Sequence, residues 1–207
     1  MFNALAQVPF DWSLSIAGDG EADYISKLEQ LATALGIEKK ITWLGWVTTI
    51  QRPFIFQAAD LLVLPSHNEN FANVVVESLA MGTPVLVSRH VGLSYYVAEN
   101  DLGWVCDTTV ESIKETLNQA FTHSKHRQWI AERSAAQIRA DFDPSVLAAK
   151  YMAVYHRVNP RLLNNLKTNV VEVLNSANYS QNKQYDSDTK YSFGKNSAQI
   201  VSNKIDR

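Results

Sequence analysis

Two carboxylates and one helix start carry the chemistry that this sequence offers. Glu69 and Glu77 stand eight positions apart within residues 65–88, PSHNENFANVVVESLAMGTPVLVS. The all-apolar run before them, residues 61–64, has the character of a parallel strand buried on both faces, and Pro65 ends it. Residues 66–73 are polar except for Phe71 and predict a loop. Residues 74–81 predict a helix that Gly82 stops and Pro84 cannot continue, and 84–87 predict the next strand. This order puts Glu69 in the loop and Glu77 one to two turns into the helix, so both are expected to line a crevice at the carboxyl end of a sheet. The first helical turn leaves backbone N–H groups free near Phe71, Ala72, Asn73 and Val74, and with the helix dipole they form a seat for a phosphate. An anion seat beside two acids suits a sugar nucleotide, with phosphate on the helix end and hydroxyls on the carboxylates. Spacing alone leaves the plainer reading open, two glutamates on a solvated face.

The rest of the chain reads as alternating elements that would hold this stretch. Residues 2–8 predict the last turns of a helix and 12–17 a strand, followed by Gly18-Asp19-Gly20, part of a dinucleotide fingerprint or a plain tight turn. Between 21 and 35, Tyr24, Leu28, Leu31 and Leu35 recur at helical spacing and predict a core-facing stripe capped by Gly36. Residues 41–44 predict a strand closed by Gly45, and 52–59 a helix with Pro53 in its first turn. After Ser88 the pattern predicts a loop, a short helix, a strand over 103–106, and helices over 110–121, 126–140 and 144–158, with Thr108 or Thr109 as a cap. His67 and His90 read as surface or internally satisfied residues and His123 and His126 as solvated ones, without the ligand spacing of a metal site. Strands alternating with helices predict an α/β fold with a doubly wound parallel sheet over residues 1–158. Residues 159–207 predict a short helix, 162–174, and then a disordered tail, because a segment rich in Asn, Ser, Gln, Lys and Asp buries too little to offset its ordering entropy.

The wording of the central stretch resembles the donor-binding signature of retaining GT-B glycosyltransferases of the group 1 family. The matching residues are Pro65, Ser66, Glu69, Phe71, Glu77, Gly82 and Pro84, and the resemblance continues through Val91-Gly92-Leu93. Most members of that family carry glycines on both sides of the aromatic, where this chain has Asn70 and Ala72, so a Cβ stands where the sugar approaches the backbone. The resemblance implies the Rossmann-like, donor-binding half of a GT-B fold with C-terminal helices. It implies Glu69 as the catalytic residue, holding donor-sugar hydroxyls beside the developing oxocarbenium ion, and Glu77 as acceptor of hydrogen bonds from the ribose. Asn70, Phe71, Ala72, Asn73 and Val74 would line the donor, and Gly45, Trp46 and Val47 would form the loop beside the nucleobase. The implied reaction transfers a hexosyl group from a UDP-, GDP- or ADP-sugar with retention of configuration. It needs no cofactor, no metal and no double-displacement nucleophile.

The same resemblance implies an N-terminally truncated domain. The family's first strand and its loop, with an Arg and a Lys that clasp the diphosphate, have no counterpart here, and neither does the acceptor-binding domain. In the sheet order 3-2-1-4-5-6 that first strand is central, so strands 12–17 and 61–64 are expected to lose a shared neighbour. Unpaired N–H and C=O groups would then favour self-association or a partner chain. Two other readings stay open: a catalytically inactive fragment or nucleotide-binding module that needs a partner, and a sugar-nucleotide epimerase on the same fold.

Composition narrows the partners. The chain has 207 residues, 46% hydrophobic and 19% charged, an ordinary globular balance, and a formal net charge of −2 that argues against nucleic acid. The single cysteine, Cys106, cannot form an internal disulfide, and no apolar run reaches the length of a membrane span. A cytoplasmic location is the expectation from these features.

Overall fold

The computed structural model describes residues 1–158 and 199–203. Its strands are β1 (Ser13–Ala17), β2 (Ile41–Gly45), β3 (Ala59–Leu64), β4 (Val85–Ser88), β5 (Gly103–Cys106) and β6 (Gln199–Asn203). Its helices are α1 (Phe2–Leu5), α2 (Ala22–Ala34), α3 (Arg52–Ala58), α4 (Asn73–Ala80), α5 (Ser94–Glu99), α6 (Val110–Thr122), α7 (Ser124–Phe142) and α8 (Pro144–Val158), with one 3-10 turn at Glu38–Lys40. The strands form one sheet in the order β2-β1-β6-β3-β4-β5. β1 with β2, β3 with β4, and β4 with β5 pair in parallel, as strands joined by helical crossovers must.

The core follows from composition. Residues 61–64 and 85–88 are buried throughout, the pattern of strands covered on both faces, and helix α4 buries Val74, Val75, Ser78 and Leu79. Polar groups drawn into this core find partners. Ser78 Oγ donates to Thr83 O (3.0 Å), Thr83 Oγ1 to Phe56 O (2.6 Å), and Ser134 Oγ to Leu79 O (2.8 Å), tying α4, α3 and α7 together. Thr109 caps α6 by accepting from Ser112 N at 3.2 Å, and Gly36 ends the α2 segment at φ 68°.

Three expectations are corrected. The apolar stripe of α2 is not core: among its residues only Ala32 is buried, while Tyr24 is 57% and Leu31 37% exposed. Helical spacing identifies an apolar side, and here that side borders an open crevice. His126 is not simply solvated, because its Nε2 lies 3.3 Å from Asp101 Oδ1 and its ring sits edge-on to Trp104 and stacked on Trp129. Third, residues 199–203 of the segment expected to be disordered form β6, which runs antiparallel between β1 and β3 and makes the sheet mixed. The edges of β1 and β3 expected to lack a neighbour both pair with it. The helix expected over 162–174 lies outside the described residues.

The chain divides into two compact units, residues 1–139 with 194–207, and residues 140–193. The described part of the second unit is the end of α7 and α8, where Ser145 N donates to Asp143 Oδ1 (2.8 Å) and Lys150 Nζ to Asp141 O (3.2 Å). The Ser145 donors hold the Asp143 carboxyl below its ordinary range.

Candidate functional site

Strand β3 delivers Pro65 and Ser66 to the carboxyl edge of the sheet, and the loop that follows is fastened to the segment after β4. Glu69 N donates to His90 O (3.1 Å), Gly92 N donates to Glu69 O (2.8 Å), and Glu69 and Val91 form a one-residue parallel bridge. Ser88, fully buried, donates from Oγ to Ser66 O and accepts from His90 N (3.2 Å). Gly92 permits this closeness, because a Cβ there would stand 1.8 Å from Asn70 O. The loop backbone around Glu69 is therefore an outlying part of the sheet. The Glu69 side chain accepts from Ser66 Oγ at 3.4 Å and lines an open crevice of about 540 Å³ with Tyr24, Leu28, Leu31, His67 and Thr108. The apolar stripe of α2 thus forms one wall.

The turn into α4 is made by Ala72, which adopts φ 66° and ψ 68° and caps the helix without a side-chain hydrogen bond. The N–H of Val75 goes to Ala72 O at 2.9 Å. The N–H groups of Asn73 and Val74 precede any carbonyl inside the helix that could accept them, so the first turn of α4 leaves them without an intrahelical partner. Val74 is buried and contributes only its backbone, whereas Asn70, Asn73 and Phe71 (43%) are exposed.

The second glutamate behaves differently from the first. Both Glu77 carboxylate oxygens accept from Arg52 Nη1, at 2.8 and 2.7 Å, and Arg52 Nη2 reaches Thr49 Oγ1 at 3.4 Å. Arg52 Nε is buried without a hydrogen-bond partner among the described residues. Glu77 is not among the residues lining the Glu69 crevice. Arg52 was not singled out in the sequence, and no local signal marks it, since 25 positions separate it from Glu77.

The remaining candidates are placed as follows. Gly45 adopts φ 62° and its carbonyl accepts from Gly18 N at 2.8 Å, joining the loops after β1 and β2. Trp46 is 64% exposed beside it and Val47 is half-buried, whereas Trp43 packs edge-on to Phe2 at 6.4 Å. His90 serves this region through its backbone. Among the described residues there is no group of three metal-binding side chains, and no helix is long and apolar enough to cross a membrane. Nor does any arginine or lysine line the Glu69 crevice among those residues.

A family model described as glycosyl transferases group 1 matches residues 2–137. A lipopolysaccharide core biosynthesis glycosyltransferase, LpsE of Rhizobium meliloti, is 29% identical over 153 residues, 73% of this chain and 44% of its own length. Among solved structures, Anabaena HepE in complex with UDP-glucose is 26% identical with a TM-score of 0.65, over 74% of this chain and 44% of that one. WaaG, a glycosyltransferase involved in lipopolysaccharide biosynthesis, is 25% identical with a TM-score of 0.59, over 74% and 41%. The chain spans less than half the length of these relatives.

Proposed function

This chain belongs to the group 1 glycosyltransferases, and on that premise we propose that it is a donor-binding domain for a nucleoside-diphosphate hexose, serving hexosyl transfer with retention. The observation that carries this reading is the fastened loop of residues 65–73. It sets the Glu69 carboxylate in a crevice and ends on the first turn of α4, where the N–H groups of Asn73 and Val74 have no intrahelical acceptor. Departure of the nucleotide builds negative charge on the diphosphate and positive charge on the sugar. Fixed N–H dipoles oppose the first without reorganising, and Glu69 stands ready for the second and for the sugar hydroxyls. Glu77 accepts from the ribose in this reading, and Arg52 fixes its orientation while cancelling its charge near the phosphates. Gly45, Trp46 and Val47 offer the surface for the base. The HepE structure with UDP-glucose supports a nucleotide-sugar ligand by likeness.

A second reading, a nucleotide-binding module that needs a partner chain for transfer, draws on the absence of arginine and lysine from the described crevice lining. The test is thermal shift of the full chain with UDP, GDP, ADP and their hexose conjugates, each variant judged against its own unliganded midpoint. Ligand at about a hundred times Kd raises stability by ~2.7 kcal/mol. One nucleotide family should shift the parent chain, and Glu69→Ala should abolish the added shift from the hexose. Absence of any shift would sink the donor-site reading. Binding without sugar release or transfer would favour the module.

A further inference from the structure

We propose that the space between β1 and β3 is a strand-docking site, and that its occupant is this chain's own C-terminal segment, inserted in cis as a separable strand. Three observations on the backbone carry this, and none depends on the glycosyl-transfer reading. First, β1 and β3 do not pair with each other; Ser13, Leu14, Ser15, Ile16 and Ala17 pair with β6 on one side, and Ala59, Leu61, Leu62 and Val63 on the other. Leu14, Ile16, Leu61, Leu62 and Val63 are all at most 3% exposed with the strand in place, and withdrawing it would strip the facing N–H and C=O groups of two core strands of their ladder partners. That deficit supplies the driving force for strand addition.

Second, β6 is antiparallel to both neighbours while the other three ladders are parallel. Antiparallel pairing on both sides sets β6 apart from the strands laid down by helical crossovers, as expected of a strand added from a distant segment. Third, the strand lies far along the sequence from the rest of the sheet. Forty residues of sequence separate it from α8, up to about 130 Å when extended, ample to return to any point of a domain this size. β6 belongs to none of the three parallel ladders, so withdrawing it breaks only its own two antiparallel ladders and leaves β1–β2 and β3–β4–β5 paired, which makes it separable. Because β3 runs directly into Pro65 and the Glu69 loop, docking also braces the strand that presents the site.

Hydrogen exchange on the unmodified full chain tests the proposal. Amides of residues 200–202 should be slowed at least about a hundredfold over unfolded rates, yet less than those of Val63 and Leu86. Exchange at unfolded rates would overturn docking, and protection equal to the β3–β4 ladder would overturn separability. Val201→Pro removes a ladder donor from a central strand. This variant should lose the protection of Ser15 and Leu62, and a synthetic peptide of residues 198–204 added in excess should restore it, while a scrambled peptide should not. Unchanged protection in the variant, or loss that the peptide cannot restore, would overturn the proposal. A dimer whose protection of 200–202 disappears on dilution would assign the strand to a second copy and so overturn insertion in cis.

Discussion

At the scale of single residues, Ala72 carries the sharpest tension between sequence and conformation. Its left-handed backbone is one that a Cβ disfavours by about 1–2 kcal/mol, and no side-chain cap compensates. The residue stands at the turn by which the Glu69 loop enters α4. Ala72→Gly should therefore stabilise the fold by about 1 kcal/mol, after the greater unfolded-state freedom of glycine is allowed for. Urea unfolding of the pair of proteins measures this directly, and a destabilised variant would show that the alanine methyl makes a contact outweighing the strain. The Arg52–Glu77 pair is the other residue-scale feature. It joins the start of α3 to α4 and pairs Glu77 with a cation, whereas Glu69 accepts from the Ser66 hydroxyl.

At the scale of elements, the site exists because two loops are fastened together. The bonds from Glu69 N to His90 O and from Gly92 N to Glu69 O make the loop after β3 an extension of the segment after β4. Gly92 is the position that allows it, since an added Cβ would lie 1.8 Å from Asn70 O and 2.8 Å from Asn70 C, both backbone atoms that cannot rotate away. Gly92→Ala should force the loops apart, at a cost of about 2–4 kcal/mol from the lost bonds and strain. Faster amide exchange at Glu69 and Gly92 should accompany the fall in stability. A variant with parent-like exchange at those two amides would show that the loops are held by other contacts. Helix ends are secured in a similar local way: Arg127 Nη1 donates to Ala120 O and to Phe121 O (2.8 Å) at the end of α6.

At the scale of the whole molecule, the single thiol links folding to pH. Cys106 is 2% exposed in β5, and burial, followed by the neighbouring Asp107 carboxylate, pushes its pKa from 9.0 up to about 11. The raised folded value means that the unfolded chain releases this proton first. The contribution to stability is complete below pH 9 and is lost as pH rises through about 11. Comparing urea midpoints of the parent and Cys106→Ala between pH 8 and 11 should show the parent falling more steeply above pH 9. Equal slopes would mean that the thiol is not shielded. The same burial should keep Cys106 unreactive toward thiol reagents at pH 8 until the protein unfolds.

The alternation of apolar runs, the helix starts and stops, and the glutamate loop were legible in the linear chain because each rests on local periodicity or on turn chemistry within a few residues. Strand ends at 61–64 and 103–106 and the helix opened by Pro144 are set by such short-range rules. What lay beyond reading joins distant residues. Arg52 meets Glu77 across 25 positions, the α2 stripe turns to a crevice instead of the core, and His126 settles between two tryptophans. Above all, β6 pairs with strands far earlier in the chain. Composition measures what a segment can bury by itself, whereas a strand slot offers backbone partners that exist only once the sheet has formed.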